Sequence, residues 1–339
     1  MGSVKDLKII EWGSEEQPGL GRFIFSDRYS VFDWGEMPDE IHNKGKALCL
    51  MTAYFFERLE EQGIKTHYRG LVEDGRVKKL KELKEPSSEM QVLIVSVFEP
   101  SYTAGKYDYS IYNAGLKNCL LPLEIIYRNT LPEQSSFRKR AEEGKLDPAE
   151  YGLDSLPEPG VFLEEPLFDV STKLEATDRY ISWKEARKLA AISEQEYQQI
   201  IKLLKMVNGL ISHEVGKAGL KNLDGKIELA FDSGRQLMVV DALGTPDECR
   251  FSLDGVNISK EYIRRHYRQT DWYQELMKWK KEAGPGWKRK VESPGKLPGE
   301  LLEKVSEMYM ACANEVTGRK WFKGAPALQE ICLKLKETR

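Results

Sequence analysis

Ordered cysteine spacing is missing from this sequence, and so is charge of one sign. The five cysteines, Cys49, Cys119, Cys249, Cys312 and Cys332, form no CxxC pair and follow no regular spacing, which argues against a disulfide framework. Four histidines, His42, His67, His213 and His266, lie far apart, so no zinc-type ligand pattern is present. Lys and Arg number 51 against 54 Asp and Glu, a net charge of −3. No global field recruits nucleic acid or an anionic membrane, and an anionic ligand must be held locally. The start, MGSVKDLKIIEWG, has no apolar stretch fit for a signal peptide, and no segment approaches bilayer length, so a cytoplasmic location is expected. Low-complexity tracts and internal repeats are also missing.

What is present reads as an ordinary folded enzyme of 339 residues, 41% hydrophobic and 31% charged, long enough for two or three cooperating units. LKIIEWG and GRFIFS, separated by the Pro/Gly-containing SEEQPGL, predict an opening hairpin. Leu48, Met51, Phe55 and Leu59 fall at helical spacing, and Gly63 is a natural stop. QVLIVSVFEP and LPLEIIYRN read as buried strands, and residues 138–160 as a surface excursion. Ser182 with Glu185, and Ser193 with Glu196, are spaced as capping boxes. The second opens a long helix that Gly219 ends.

KIELAF and QLMVVDAL flank DSGR, a hairpin signal. With the turn centred on Ser233 and Gly234, Phe231 pairs with Gln236, Glu228 with Val239 and Lys226 with Asp241. One face then carries Ile227, Leu229, Phe231, Met238 and Val240, and the other Lys226, Glu228, Asp232, Arg235 and Asp241. Two readings of the charged face stay open. It is a platform for Mg²⁺-bridged phosphates, with Glu228 and Asp241 as hard oxygen ligands, or a solvated sheet face whose Lys226 and Asp241 form a weak cross-strand ion pair.

Several collinear segments resemble the SAICAR synthetase (phosphoribosylaminoimidazole-succinocarboxamide synthase) family. They are SDRYSVFD, Lys44-Gly45 with the helix after it, PLEIIYRN, FDVSTKLEATDRYIS, DGKIEL, VVDALGTPDECRF, ISKEYIRRHY and LPGELLEKVSEMY. The resemblance implies an α+β, ATP-grasp-like two-lobed fold, with a mostly antiparallel β lobe over residues 1–119 and an α+β lobe over 120–339 that closes in helices from about residue 293. It implies an ATP- and Mg²⁺-dependent ligase that phosphorylates the carboxylate of carboxyaminoimidazole ribonucleotide and condenses it with aspartate. Small molecules are then the partners, nucleic acid and membrane are not, and homo-oligomer formation stays open. By the same resemblance Leu120 and Leu121 form the adenine hinge, and Glu228 and Asp241 are metal ligands. Lys226 lies beside the reacting phosphoryl group. Arg128, Lys173, Asp247 and Arg250 contact the substrates, and Ser135 and Ser136 are the hydroxyl candidates for that contact in the segment that departs from the family.

Three departures stand beside these matches. WGSEEQPGLGR occupies the turn where a GKxR phosphate loop is expected, and Glu15 and Glu16 would repel phosphate there, leaving Arg22 or Lys8 as substitutes. Ala242 replaces a second acid after Asp241. TLPEQSSF replaces the AGS that follows the RN motif. The departures keep two alternatives open, a paralogous ligase acting on a related heteroaromatic carboxylate and an inactive nucleotide-binding homologue. WKK and GPGWKRK, around Trp279 and Trp287, are either a nucleic-acid stacking surface or packed tryptophans under lysine stems.

Overall fold

The computed structural model describes residues 4–336 apart from residue 15. Strands β1 (Lys5–Glu11) and β2 (Gly19–Phe25) form the predicted opening hairpin, pairing Lys5 with Phe25 and Lys8 with Arg22. Its loop closes tightly, since a side chain on Gly13 would start 2.4 Å from the Gly19 nitrogen. Helix α1 (Lys44–Glu61) follows, and Gly63 stops it in the left-handed region at φ 76. Strands β3 (Tyr68–Glu73), β4 (Arg76–Lys78) and β5 (Glu89–Ile94) complete an antiparallel sheet in the order β1-β2-β5-β3-β4. Leu48, Met51, Phe55 and Leu59 are all buried as their spacing predicts, but so are Ala47, Leu50, Ala53 and Phe56. The helix has two apolar faces because the sheet packs on one side and helix α7 (Gly299–Thr317) on another.

After a small separate pair, β6 (Ser101–Thr103) and β7 (Lys106–Asp108), the chain builds the second sheet. Its strands are β8 (Cys119–Leu120), β9 (Leu123–Thr130), β10 (Phe162–Thr172), β11 (Tyr180–Ile181), β12 (Lys221–Phe231), β13 (Leu237–Val240), β14 (Cys249–Leu253) and β15 (Val256–Ile258). The main path runs β11-β10-β9-β12-β14-β15, antiparallel throughout. Strand β12 is the hub: its first half pairs with β9 and β14 and its second half with β13 and β8. Two parallel bridges, Thr66 with Val239 and Ser96 with Cys119, join the sheets, and one apolar core runs through both.

Helices α2 (Ser136–Glu142), α3 (Trp183–Leu189), α4 (Glu194–Lys217), α5 (Glu261–Tyr267), α6 (Asp271–Glu282) and α8 (Leu328–Lys336) complete the fold. The reciprocal capping box at Ser193 and Glu196 forms as its spacing predicts. At Ser182 only the serine half forms, because the Glu185 carboxylate turns to Arg179 at 2.7 Å. Residues 138–160 are more than a surface excursion, since Phe137 packs there with Tyr151, Leu153 and Leu156. Trp287 is 3% exposed against Trp34 and Trp272, with Lys280 and Lys288 over its ring, so the packed reading of that region holds. Among the described residues no helix is long and apolar enough to cross a membrane.

The predicted register of the β12–β13 hairpin is off by one residue. Glu228 pairs with Val240, Ala230 with Met238 and Phe231 with Leu237. The connection holds five residues because the Asp232 side chain accepts from Gly234 and Gln236 amides at 2.9 and 2.8 Å, while Arg235 takes a positive φ of 56. A one-residue shift exchanges faces. Met238 and Val240 therefore lie with Ala230 and Leu120, while Val239 joins Leu229 and Phe231 in the main core. Asp232 and Arg235 leave the charged face to pair with Lys65 and Glu196. Asp241 follows the strand at φ 70 rather than facing Lys226 across it.

The KG element supplies a test of packing. A methyl group on Gly45 would lie 2.4 Å from the Phe25 carbonyl oxygen, a backbone atom that cannot rotate away. Helix propensity favours Gly→Ala by about 1 kcal/mol, but overpacking costs about 1–3 kcal/mol. Gly45→Ala is therefore expected to lower the denaturant midpoint.

Candidate active site

Alternation along β12 points Lys226 and Glu228 to one face, and that face borders two cavities. The first, about 420 Å³, lies between the two sheets. Leu93, Val95, Leu120 and Val240 give it an apolar floor, and Lys5, Lys173, Glu228 and Asp241 a charged end. Lys173 Nζ lies 2.5 Å from Glu228 Oε1, and Lys5 Nζ lies 2.6 Å from Asp241 Oδ1. Burial acts to raise the Asp241 pKa, but Lys5, Lys173 and Lys226 outweigh it and hold the carboxyl well below the usual range. Burial also pushes His67, on the same wall, down to about 3, so its ring is neutral.

The second cavity, about 330 Å³, opens on the other side of Lys226. That ammonium contacts Glu124 at 2.9 Å and Glu228 and Glu248 at 3.2 Å each. Burial acts to lower the Lys226 pKa, and these three carboxylates raise it well above the ordinary value. Charges of both signs line the cavity: Arg128, Arg250, Lys260 and Arg264 beside Asp224, Asp247 and Glu261, with Asp33, Glu124 and Asp178 also on its wall. Asp178 sits at the exposed rim, where partial burial, then Glu124 and Asp33, push it up to about 7. The Lys226–Glu228–Lys173 cluster stands between the cavities, Lys226 lining one and Glu228 and Lys173 the other.

The remaining expected residues divide. Arg128 lines the second cavity while paired to the fully buried Asp169 at 2.9 Å, and it donates to Ser136 at 3.0 Å. Ser136 lines the cavity too, but Ser135 is buried as the N-cap of α2, accepting from the Phe137 amide. Arg250 lines it, held by Asp224 at 2.8 Å. Asp247 is on the wall, but Lys44 at 3.0 Å, Lys260 at 3.7 Å and the Tyr309 hydroxyl at 2.5 Å already engage its carboxylate. Asp247 thus serves as an internal counter-ion while bordering the cavity, whose other carboxylates include Asp33, Glu124 and Asp178.

The two leucines expected at the hinge are placed differently. The Leu120 amide donates to Ser96 and the Leu121 amide to Leu229, each at 2.9 Å, so those backbone donors are taken. Leu120 borders the cavity, and Leu121 packs in the main core. Val95, Val97 and Glu99, past the end of β5, border the apolar floor instead. The N-terminal turn stands apart from this cavity. Asn118 ties it down through the Ser14 and Gln17 carbonyls, and none of its described residues lines the nucleotide-sized cavity. Glu15 lies outside the described residues. Arg22 pairs with Glu89, Lys8 is exposed, and Lys5 provides the cation. Ala242 packs in the main core, where a carboxylate would be costly.

Lys5, Asp33, Glu124, Asp178 and Glu248 escaped the sequence reading as site residues. Asp33, Glu124, Asp178 and Glu248 stood inside the quoted motifs, whereas Lys5 has only its place on β1 to mark it. Fold and family together place the chain in a class, the ATP-dependent ligases. The model of the SAICAR synthetase family matches residues 14–279, and the chain belongs to that family. A protein of Archaeoglobus fulgidus is 52% identical over 338 residues, spanning all of this chain and 99% of its own length. The phosphoribosylaminoimidazole-succinocarboxamide synthase of Thermoplasma volcanium is 33% identical over 306 residues, covering 88% of this chain and 93% of that protein. The SAICAR synthase of Saccharomyces cerevisiae complexed with SAICAR has the same fold, with a TM-score of 0.64 at 20% identity and 95% of each chain covered. A SAICAR synthetase in complex with ADP aligns with a TM-score of 0.55 at 21% identity, over 87% of this chain and 99% of that one.

The ion cluster around Asp247 has a clear pH signature. A depressed carboxyl pKa contributes stability that is fully present above the unfolded value, about 3.9, and is lost as pH falls. Wild-type unfolding midpoints should therefore decline on acidification below about pH 4. Lys44 is wholly buried, so Lys44→Met should cost about 3–5 kcal/mol near neutral pH, measured by urea unfolding, because it strands a buried charge.

Proposed function

We propose that the enzyme uses ATP to phosphorylate the carboxylate of carboxyaminoimidazole ribonucleotide and then joins the acyl group to the amine of aspartate. The carboxylate oxygen attacks the γ-phosphorus and ADP leaves. The amine then attacks the acyl carbon, inorganic phosphate leaves, and the nitrogen gives up its proton as the amide forms. The observation that carries this reading is the shared wall: Lys226 and Glu228, two residues apart on one strand face, line different cavities and touch each other at 3.2 Å.

Adenine fits the apolar floor at Leu93, Val95, Leu120 and Val240, with the backbone at Val95 to Glu99 beside it. Lys5 and Lys173 then lie at the phosphate end. In the second cavity Arg250 and Arg264 suit the ribonucleotide phosphate, and buried Arg128 suits a carboxylate. Among the described residues no three acids or histidines cluster as a metal cage. Mg²⁺ needs only one or two carboxylates, completing its shell with phosphate oxygens and water, and Glu228 and Asp241 border the same cavity. Glu228 and Asp241 would hold it, and it would neutralise charge on the transferring phosphoryl group. Asp178, raised to about 7, is placed to take the proton from the attacking amine at neutral pH. The Lys5, Lys173 and Lys226 set, opposite Glu228 and Asp241, argues against an inactive homologue. The two-lobed ATP-grasp comparison, with a lobe boundary near residue 119, is part of the same proposal.

A phosphate-release assay with ATP, Mg²⁺, the ribonucleotide and aspartate, each omitted in turn, tests the reaction. Release that does not depend on the ribonucleotide would refute it. Glu228→Gln and Asp241→Asn should each lower kcat by about 100-fold or more while the protein stays folded. The wild-type rate should fall below about pH 7 as Asp178 gains its proton. In Asp178→Asn the aspartate-dependent rate should be low and that acid limb should vanish.

A further inference from the structure

Residues 173–179 form a common wall for three cavities. Lys173 and Leu174 border the nucleotide cavity, Asp178 borders the substrate cavity, and Glu175, Ala176, Thr177 and Arg179 border a third of about 460 Å³. Tyr102 and Tyr107 of the β6–β7 pair stand on the opposite side of that third space. The loop has no helix or strand of its own. Its ends are fixed by Lys173 donating to the Pro122 carbonyl at 3.1 Å and by Arg179 donating to Thr172 Oγ1 at 3.1 Å. Between those points the restraint comes from tyrosine hydroxyls. Tyr107 accepts from the Ala176 amide at 2.8 Å, and Tyr109 donates to Glu175 at 3.0 Å. The Glu175 side chain is only 6% exposed and also receives Arg179, which reaches on to Glu185.

We propose that the β6–β7 pair is a positioning element for the ligation chemistry, its Tyr107 and the following Tyr109 fixing the 173–179 loop so that Lys173 and Asp178 face the two cavities they border. The proposal rests on the functional reading of those cavities. Tyr107 and Tyr109 line neither the nucleotide nor the substrate cavity and act through the loop. A two-stranded pair is marginal by itself. Here it is steadied by the Tyr102 and Tyr107 rings, 4.6 Å apart, and anchored through Tyr112, which donates to the Phe98 carbonyl at 2.7 Å. Since Val97 and Glu99 border the nucleotide cavity, one continuous segment touches the nucleotide site and restrains the loop of the other.

The test is the full-length double variant Tyr107→Phe/Tyr109→Phe, which keeps both rings and removes both hydroxyls. Misplacement of a reacting group by about 1 Å can cost 100-fold, and a partial loss of about 10-fold in kcat is expected, with KM for ATP and the thermal midpoint little changed. Glu175→Gln still accepts from Tyr109 and should retain most of kcat, whereas Glu175→Ala should show the loss. Limited trypsin digestion without substrates should cut faster after Lys173 or Arg179 in the double variant. That readout judges the restraint even if the wild-type protein fails to turn over the proposed substrates, a failure that would instead refute the reaction. Wild-type kcat in the double variant, or equal cleavage rates, would overturn the proposal.

Discussion

Everything at this site depends on keeping several charges of both signs close together under partial cover. Lys226 is surrounded by Glu124, Glu228 and Glu248, Lys173 lies on Glu228, and Lys5 lies on Asp241. Alone, any of these groups would pay heavily for leaving water. Together they neutralise one another, and the arrangement stands ready for a ligand of high negative charge with its counter-ions. Such a ligand exchanges partners with the cluster rather than creating it, so little reorganisation is needed when charge shifts during reaction.

The backbone makes this economical. Strand β12 runs past both cavities, and its pleat alone decides that Lys226 and Glu228 share a face while Ile227 and Leu229 enter the core. Neighbouring strands add charge at matching heights: β9 brings Glu124 and Arg128, and β14 brings Arg250. A second ion cluster, Lys44–Asp247–Lys260 with Tyr309, ties α1 and α7 to the turn before β14. The first-sheet segment and the second are thus locked by charge as well as by apolar packing.

Much of this was legible from residue order. Helix α1, the Ser193–Glu196 box and strands β5 and β9 follow from spacing and end signals that act locally. The motif matches named Lys173, Lys226, Glu228, Asp241, Arg128 and Arg250, all of which border the cavities. What was not legible depends on one-residue geometry or on distant partners. The Asp232 side chain lengthens a turn by one residue and exchanges the faces of β13, which no hydrophobic pattern in QLMVVDAL distinguishes, since Met238, Val239 and Val240 are all apolar. The substitution of Lys5 for Lys8 or Arg22 depends on which face of β1 meets a residue 236 positions later. The ion cluster of Asp247 was not legible either, because its partners Lys44 and Tyr309 come from helices far apart in the chain.

The parallel bridges between the sheets also limit how this molecule can move. Thr66–Val239 and Ser96–Cys119 sit beside the nucleotide cavity and would have to break before the two halves could swing apart. A molecule entering the space between the sheets would therefore pass its rim, since the bridges and the continuous apolar core oppose a jaw-like opening.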